Sequence, residues 1–321
     1  MPWTPQASAD RRVSLMTASF LQRMGWRAEA FLWDSYHFAF RTVSLDKASA
    51  AGGAILRFIG PLTSTHKVAR INMQRAFPDA KKPEIDRLLS RMWDGFGRML
   101  GETPHMDKFA GDKVLDHVEI EGLEHVEFMR DPDKAAVVIS GHFSNWEVMG
   151  AALAWTGLDL NITYRHANNP LIDERILKSR FEYGIRLLTA KGGEGVKALI
   201  QALKAGTTVC LMNDQKMNDG VAAPFFGHES MTAPGPTKLA IRMGVPIIPV
   251  ITRRVGGTKF RMTFYPPIIP SENPDKTTAI VETVTAINQF LEQRILEAPE
   301  QWFWVHRRWD KAIYRKSDGS T

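Results

Sequence analysis

Ala135-Ala136-Val137-Val138-Ile139-Ser140-Gly141-His142 is the stretch that decides the fold. A strand with one wet face alternates apolar and polar residues. This run is apolar without a break, which suggests a central strand buried on both faces. It stops at Gly141, and a helix is expected to start near Ser144. Further strands are expected at 160–165, 207–212, 246–252 and 259–265. The segments 170–182, 194–204, 234–243 and 277–297 read as helices. Upstream, Val118-Glu119-Ile120-Glu121 alternates like a strand, and Gly122-Leu123-Glu124-His125-Val126 leads into a helix. Strands alternating with helices argue for an open α/β sheet flanked by helices. Residues 64–110 read as helical, with a turn at Asp79-Ala80-Lys81-Lys82-Pro83 and Pro83 suited to the helix start that follows. Ile85, Leu88, Leu89, Met92, Trp93 and Phe96 then form a stripe suited to core packing.

The chain has 321 residues, enough for one large domain with extensions. Apolar residues make up 44%, which supports a sizeable core and argues against global disorder. The net charge of +6 favours acidic partners, whether nucleic acid, anionic lipid or an acidic carrier protein. Cys210 is the single cysteine, so no disulfide forms within the chain and no cysteine-based metal site exists. It stands in the apolar run Val209-Cys210-Leu211-Met212 and is expected in the core. No zinc-type ligand cluster and no Gly-rich phosphate loop is present, and no metal or cofactor is expected. A cytosolic or cytosol-facing location fits.

Residues 13–42 read as a helix, with Val13, Met16, Phe20 and Met24 at helical spacing. Arginines interrupt it, and Trp26, Phe31, Trp33, Tyr36, Phe38 and Phe40 enrich it in aromatics. This is the profile of a helix lying in a membrane interface, with arginines for headgroups. Packing on the protein's own core is the other reading. Ala48 to Ile59 extends the same apolar surface. A membrane span needs about 20 mostly apolar residues, and the charges break this stretch first. The expected organisation is membrane-associated helices over 1–60, a catalytic domain over 61–312, and a flexible tail over 313–321.

In open α/β sheets, ligands gather at the carboxyl ends of strands. His142 stands there, and Glu147 follows five residues on. Mid-helix, that spacing would turn the two about 140° apart. A His in the preceding loop and a Glu in the first helical turn can converge. A carboxylate touching an imidazole fixes its tautomer and raises its basicity, giving a base for an attacking alcohol. Ser144-Asn145-Trp146-Glu147 also reads as a capping box, with Ser144 as N-cap and Glu147 at the third helical position. Glu147 therefore has a catalytic and a structural reading.

Several other segments recur in one order: Tyr164-Arg165 with Asn169-Pro170-Leu171-Ile172-Asp173, Asn213-Asp214-Gln215-Lys216, and Pro224-Phe225-Phe226-Gly227. Thr232-Ala233-Pro234-Gly235-Pro236 leads towards Gly244-Val245-Pro246-Ile247-Ile248-Pro249-Val250, and Pro299 to Trp309 follows near the end. Together, from about residue 64 to about 310, they resemble the bacterial lipid A biosynthesis acyltransferase family, the late lauroyl/myristoyl transferases.

The resemblance implies a glycerolphosphate-acyltransferase-like α/β fold. It implies transfer of a fatty acyl chain from acyl carrier protein to a hydroxyl on a primary acyl chain of a lipid A precursor. His142 would be the general base and Glu147 its orienter. Work at the cytoplasmic face of the inner membrane is implied, the protein being peripheral or N-terminally anchored. Under this reading Tyr164 and Arg165 lie at the sheet edge near His142, where Arg165 suits a phosphate; a plain surface arginine is the other reading. Asp214 and Gln215 follow a strand and should face the same cleft, ordering the site or meeting a sugar, unless they only make a turn. Pro224-Phe225-Phe226-Gly227 fits an acyl tunnel or the core equally. Arg307 and Arg308, with Trp302, Trp304 and Trp309, suit phosphates at a membrane surface. Backbone N–H groups near Ser144 and Asn145 suit an oxyanion. A thioester donor is already activated, so no cofactor is called for. No nucleic-acid motif accompanies the basic and aromatic residues, so nucleic acid is not expected as a partner. Acyl transfer to another membrane glycolipid, and a non-catalytic lipid-binding protein, are the competing functions.

Overall fold

The computed structural model of the chain describes residues 18–185, 187–190 and 193–315. The described residues begin with four helices: α1 (Phe20–Arg41), α2 (Leu45–Ile59), α3 (Ser64–Ala76) and α4 (Lys82–Glu102). Short 3₁₀ turns lead to β1 (Val118–Glu121) and then β2 (Val137–Ser140). Next come α5 (Trp146–Trp155), β3 (Leu160–Tyr164), α6 (Pro170–Glu182), β4 (Leu187–Ala190), α7 (Gly193–Lys204) and β5 (Thr208–Met212). A hairpin of β6 (Lys216–Phe225) and β7 (His228–Thr232) precedes α8 (Gly235–Met243), β8 (Ile247–Gly256) and β9 (Lys259–Phe264). α9 (Lys276–Glu297) and α10 (Lys311–Arg315) complete the described chain.

Among the described residues the main sheet has seven strands in the order β1-β9-β8-β2-β5-β3-β4. All neighbours are parallel except β8 and β9. β2 is buried along its whole length, as its unbroken apolar run requires. Val138 packs with Cys210, Ile248 and the residues of α5 on one face. Val137 and Ile139 pack with Val209, Leu239 and Ile287 on the other. From β2 the chain crosses to β3 on the far side of β5; from β5 it returns to β8 on the far side of β2. The two connections leave in opposite directions, so a crevice opens at the carboxyl ends of β2 and β5.

Several expectations change. The helix after β2 starts at Trp146, and its N-cap is Asn145, whose Oδ1 accepts from the backbone N–H groups of Glu147 and Val148 at 3.1 Å. Ser144 has φ +46°, which excludes the extended N-cap geometry, so the capping box centred on it does not form. Gly122-Leu123-Glu124-His125-Val126 makes one 3₁₀ turn from a left-handed Gly122 rather than a longer helix. β4 and the β6–β7 hairpin carried no strand signal in the sequence reading. The start of the N-terminal helix expected from residue 13 falls partly on residues 1–17, outside the described residues.

α2 packs against α4 backbone to backbone. A β-carbon on Gly52 would lie 2.2 Å from the carbonyl oxygen of Gly97, and one on Gly101 would lie 2.2 Å from that of Ala48. This seam crosses the boundary expected at residue 60. α1 is tied to the rest as well: Asn169 Nδ2 donates to the carbonyl of Trp26, and Arg175 holds both oxygens of Asp34 at 2.6 Å. At the other end, Tyr314 of the expected tail is buried and donates to Asn72 Oδ1 at 2.5 Å. Residues 316–321 of that tail lie outside the described residues. Among the described residues, no helix is long and apolar enough to cross a membrane.

Candidate active site

Ser140 at the end of β2 lies opposite Met212 at the end of β5. Two residues beyond each stand His142 and Asp214. Equal steps past a matched register bring them together, with His142 Nδ1 2.8 Å from Asp214 Oδ1. The other carboxylate oxygen accepts the backbone N–H of His142 at 2.7 Å and the indole N–H of Trp302 at 2.8 Å. Gly141 makes the approach possible, since a β-carbon there would lie 2.8 Å from the Phe143 ring and 3.1 Å from Asp214. The C-terminal segment staples the loop: Phe303 N–H donates to the carbonyl of His142 at 3.0 Å, and Ser144 N–H donates to that of Gln301 at 2.7 Å. That bond occupies the Ser144 N–H, so it is not free for an oxyanion.

Burial by itself would raise the Asp214 carboxyl. The His142 ring, two hydrogen bonds from His142 and one from Trp302 outweigh it and hold the group well below the usual carboxylate range. An ionised Asp214 accepts a proton-bearing Nδ1, which leaves the Nε2 lone pair available. His142 retains partial exposure, while Asp214 is 2% exposed.

Glu147 does not meet His142. Its carboxylate is turned to α6, where Arg180 donates to it through Nη2 at 2.5 Å and Nε at 3.1 Å, and the Tyr183 hydroxyl donates as well. Burial opposes its charge, but Arg180 and Tyr183 prevail and lower the carboxyl. With Asn145 as cap, Glu147 is the second helical residue. The expected orienter of His142 is thus a buried ion-pair partner, and Asp214 occupies the orienting position. The sequence held half of the signal: Ser140-Gly141-His142 and Met212-Asn213-Asp214 are both strand ends followed at the same distance by a titratable residue, but only the pairing of β2 with β5 joins them.

Two cavities adjoin His142. One, of about 260 Å³, brings the charged side chains of Arg91, Asp94, Arg98 and Arg254 beside apolar Met92, Phe96 and Val255. The other, of about 390 Å³, runs between α5 and the sheet; Met149, Leu153, Ile162, Cys210 and Met212 give it a mainly apolar wall, which the Glu147–Arg180 pair and Tyr183 also reach. His142, Trp146 and Phe303 line both. Burial pushes the Cys210 thiol up to about 12, which makes it an apolar wall rather than a nucleophile.

Tyr164, Arg165 and Gln215 also line the apolar cavity. Arg165 is exposed, the Tyr164 hydroxyl meets the His166 ring, and the Gln215 amide stands 3.5 Å from His142 Nε2. Arg307 lines neither cavity; it is exposed, with its guanidinium over the Tyr314 ring. Arg308 is 1% exposed and bonds inward to Ser230, Thr232 and Asn288. Trp302, Trp304 and Trp309 are buried too, so Arg308 and these tryptophans are core, and Arg307 is the member of that group left at the surface. Phe225 is likewise core, packed on Trp302 and Trp309. Sequence reasoning missed Glu102, a fully buried carboxylate in α4. It accepts from Asn145 Nδ2 at 2.8 Å, from Ser49 Oγ at 2.6 Å and from both Arg254 amino groups, so it supports the cap of α5 and one wall of the polar cavity together.

The family model for bacterial lipid A biosynthesis acyltransferases matches residues 20–311. The chain belongs to that family. It is therefore an acyltransferase. It is 24% identical over 251 residues to the lipid A biosynthesis palmitoleoyltransferase of Escherichia coli, covering 77% of this chain and 79% of that one. It is 26% identical over 246 residues to the lauroyltransferase of the same organism, covering 75% and 78%. A phosphatidylinositol mannoside acyltransferase of Mycobacterium tuberculosis is 27% identical over 250 residues, covering 75% and 76%. The crystal structure of a 1-acyl-sn-glycerophosphate acyltransferase from Thermotoga maritima aligns with 89% of this acyltransferase and 100% of that chain, at TM-score 0.37 and 16% identity, too loosely to compare residues.

Proposed function

We propose that this acyltransferase moves a fatty acyl chain from acyl carrier protein to a hydroxyl on a primary acyl chain of a lipid A precursor, at the cytoplasmic face of the inner membrane. The observation that carries the reading is the His142–Asp214 pair, 2.8 Å apart, beside both an apolar and a polar cavity. The apolar cavity suits the acyl chain and the polar one suits a headgroup. His142 Nε2 takes the proton of the acceptor hydroxyl as its oxygen attacks the thioester carbonyl. The tetrahedral intermediate collapses, the C–S bond breaks, and the thiolate recovers the proton from Nε2. Asp214 keeps its charge throughout and stabilises the imidazolium, as the buried Asp does in serine-protease triads. The Gln215 amide lies close enough to Nε2 to donate to the oxyanion. Arg165, at the cavity rim, suits a phosphate of either substrate. Glu147 keeps a supporting role through Arg180.

The test is turnover of an acyl carrier thioester with a lipid A precursor. His142→Ala should keep the unfolding transition of the parent and lose at least about 10²-fold in turnover; parental turnover would sink the reading. The mannoside-acylating relative favours one second acceptor, a membrane glycolipid. Mass spectrometry of lipid A from a deletion strain separates the two, since an unchanged acylation pattern points to the glycolipid.

A further inference from the structure

We propose that Ile162 and Ile185 form a floor that limits the length of the acyl chain, and that Gly150 keeps the passage beside this floor open. The inference rests on the reading of the apolar cavity as the acyl site. From His142 that cavity descends past Ser140 and Met212 to Val138 and Cys210, two residues further down each strand. Ile162 on β3 is a wall at this depth, paired with Cys210 in register, and Ile185 after α6 lines the same cavity. Both isoleucines also line a second cavity of about 350 Å³, bounded by Ala154, Leu158 and Leu160. Among the described residues they are the two common to the linings of both cavities. Two side chains thus partition the space along one end of the sheet.

The partition is held in place. Ile185 is 6% exposed and follows Gly184, whose φ of +117° suits glycine. Before that stands Tyr183, whose hydroxyl is anchored on Glu147. The buried Glu147–Arg180–Tyr183 cluster therefore fixes the approach to the floor, which gives it a purpose separate from proton transfer. On the opposite wall, α5 presents Gly150. A β-carbon there would lie 3.0 Å from Ile185 Cδ1. Alanine needs only a small shift of that flexible methyl, whereas leucine would project into the passage.

An acyl pocket that ends on packed aliphatic side chains discriminates length because a surplus methylene must displace one of them. One methylene in such a pocket changes kcat/KM by roughly tenfold or more. The experiment measures kcat/KM of the full chain for a series of saturated acyl carrier thioesters of increasing length. Ile185→Ala, alone and with Ile162→Ala, should join the two cavities and move the optimum to longer chains. Gly150→Leu should move it to shorter chains, with turnover of the shortest donors kept. Unfolding transitions show that each variant is folded, and Ile185→Ala carries the test if Gly150→Leu does not fold. An unchanged optimum in folded Ile185→Ala overturns the inference while leaving acyl transfer intact. A parent enzyme that consumes none of the thioesters overturns the acyl-site reading and the floor with it.

Discussion

Asp214 is the residue on which the candidate site turns, and its charge should be visible in two ways. Its carboxyl is depressed in the folded chain, with an ordinary value near 3.9 when unfolded. The stabilisation it contributes is therefore fully present above about pH 4 and is lost as pH falls towards the folded value. Asp214→Asn should be less stable than the parent at neutral pH and lose less on acidification; parallel stability curves from stepwise denaturation at each pH would contradict this. The same substitution removes the charge, and with its amide oxygen held by the N–H groups of His142 and Trp302 it turns an NH2 towards Nδ1 and favours the wrong tautomer, so turnover should drop by about 10²-fold or more. His142 was legible from its position after a buried strand. Asp214 was legible as a site residue but not as the partner of His142, because its place depends on the pairing of β2 with β5. Glu147 misled for a local reason: where a helix starts decides where its first carboxylate points, and Asn145 captured the cap one residue later than Ser144.

At the scale of elements, the α2–α4 seam explains how the N-terminal helices are fastened to the enzyme. Gly52 and Gly97 let two backbones touch, and a β-carbon on either would lie 2.2 Å from the other's carbonyl oxygen. Overpacking typically costs about 1–3 kcal/mol, and here the obstacle is backbone, which cannot rotate away. Gly97→Leu should therefore lower stability by about 3 kcal/mol or more, read by denaturant unfolding; a cost under 1 kcal/mol would show that the helices part easily. Glu102, at the end of α4, would transmit such a shift to Asn145 and Arg254. Most strands and the long helices were legible from periodicity. β4 and the β6–β7 hairpin were not; β6 carries the turn-forming residues Asn218-Asp219-Gly220 inside the strand, where its register against β7 slips.

At the scale of the molecule, the outer side of α1 and α2 is the largest departure from an ordinary soluble surface. Leu21 and Phe58 are each 80% exposed, and Phe20, Phe31, Leu32 and Phe38 are exposed as well. Exposed Arg23, Arg27 and Arg57 stand on the same two helices. A clustered apolar surface of this kind marks a membrane or protein contact, and the arginines favour anionic lipid. Each inserted Phe or Leu is worth up to about 1.5–3 kcal/mol. Phe31→Ser, Leu32→Ser and Phe58→Ser combined should weaken co-sedimentation with anionic vesicles by about 10²-fold or more; retained binding would show that this face does not meet the bilayer.

Some of this follows from the chain alone. An unbroken apolar run between polar neighbours points to a strand covered on both faces, and a residue just past its end is placed near a crevice, so the central strand and the position of His142 were legible from burial and periodicity. The partner of that histidine does not. Asp214 lies 72 residues away in sequence and reaches His142 only because Ser140 aligns with Met212 across two parallel strands. Glu147 lies five residues away and is drawn to Arg180 instead. Sequence spacing reports distance along one element, whereas charge pairing is decided between elements, where register and the first turn of a helix set which carboxylate points at which cation.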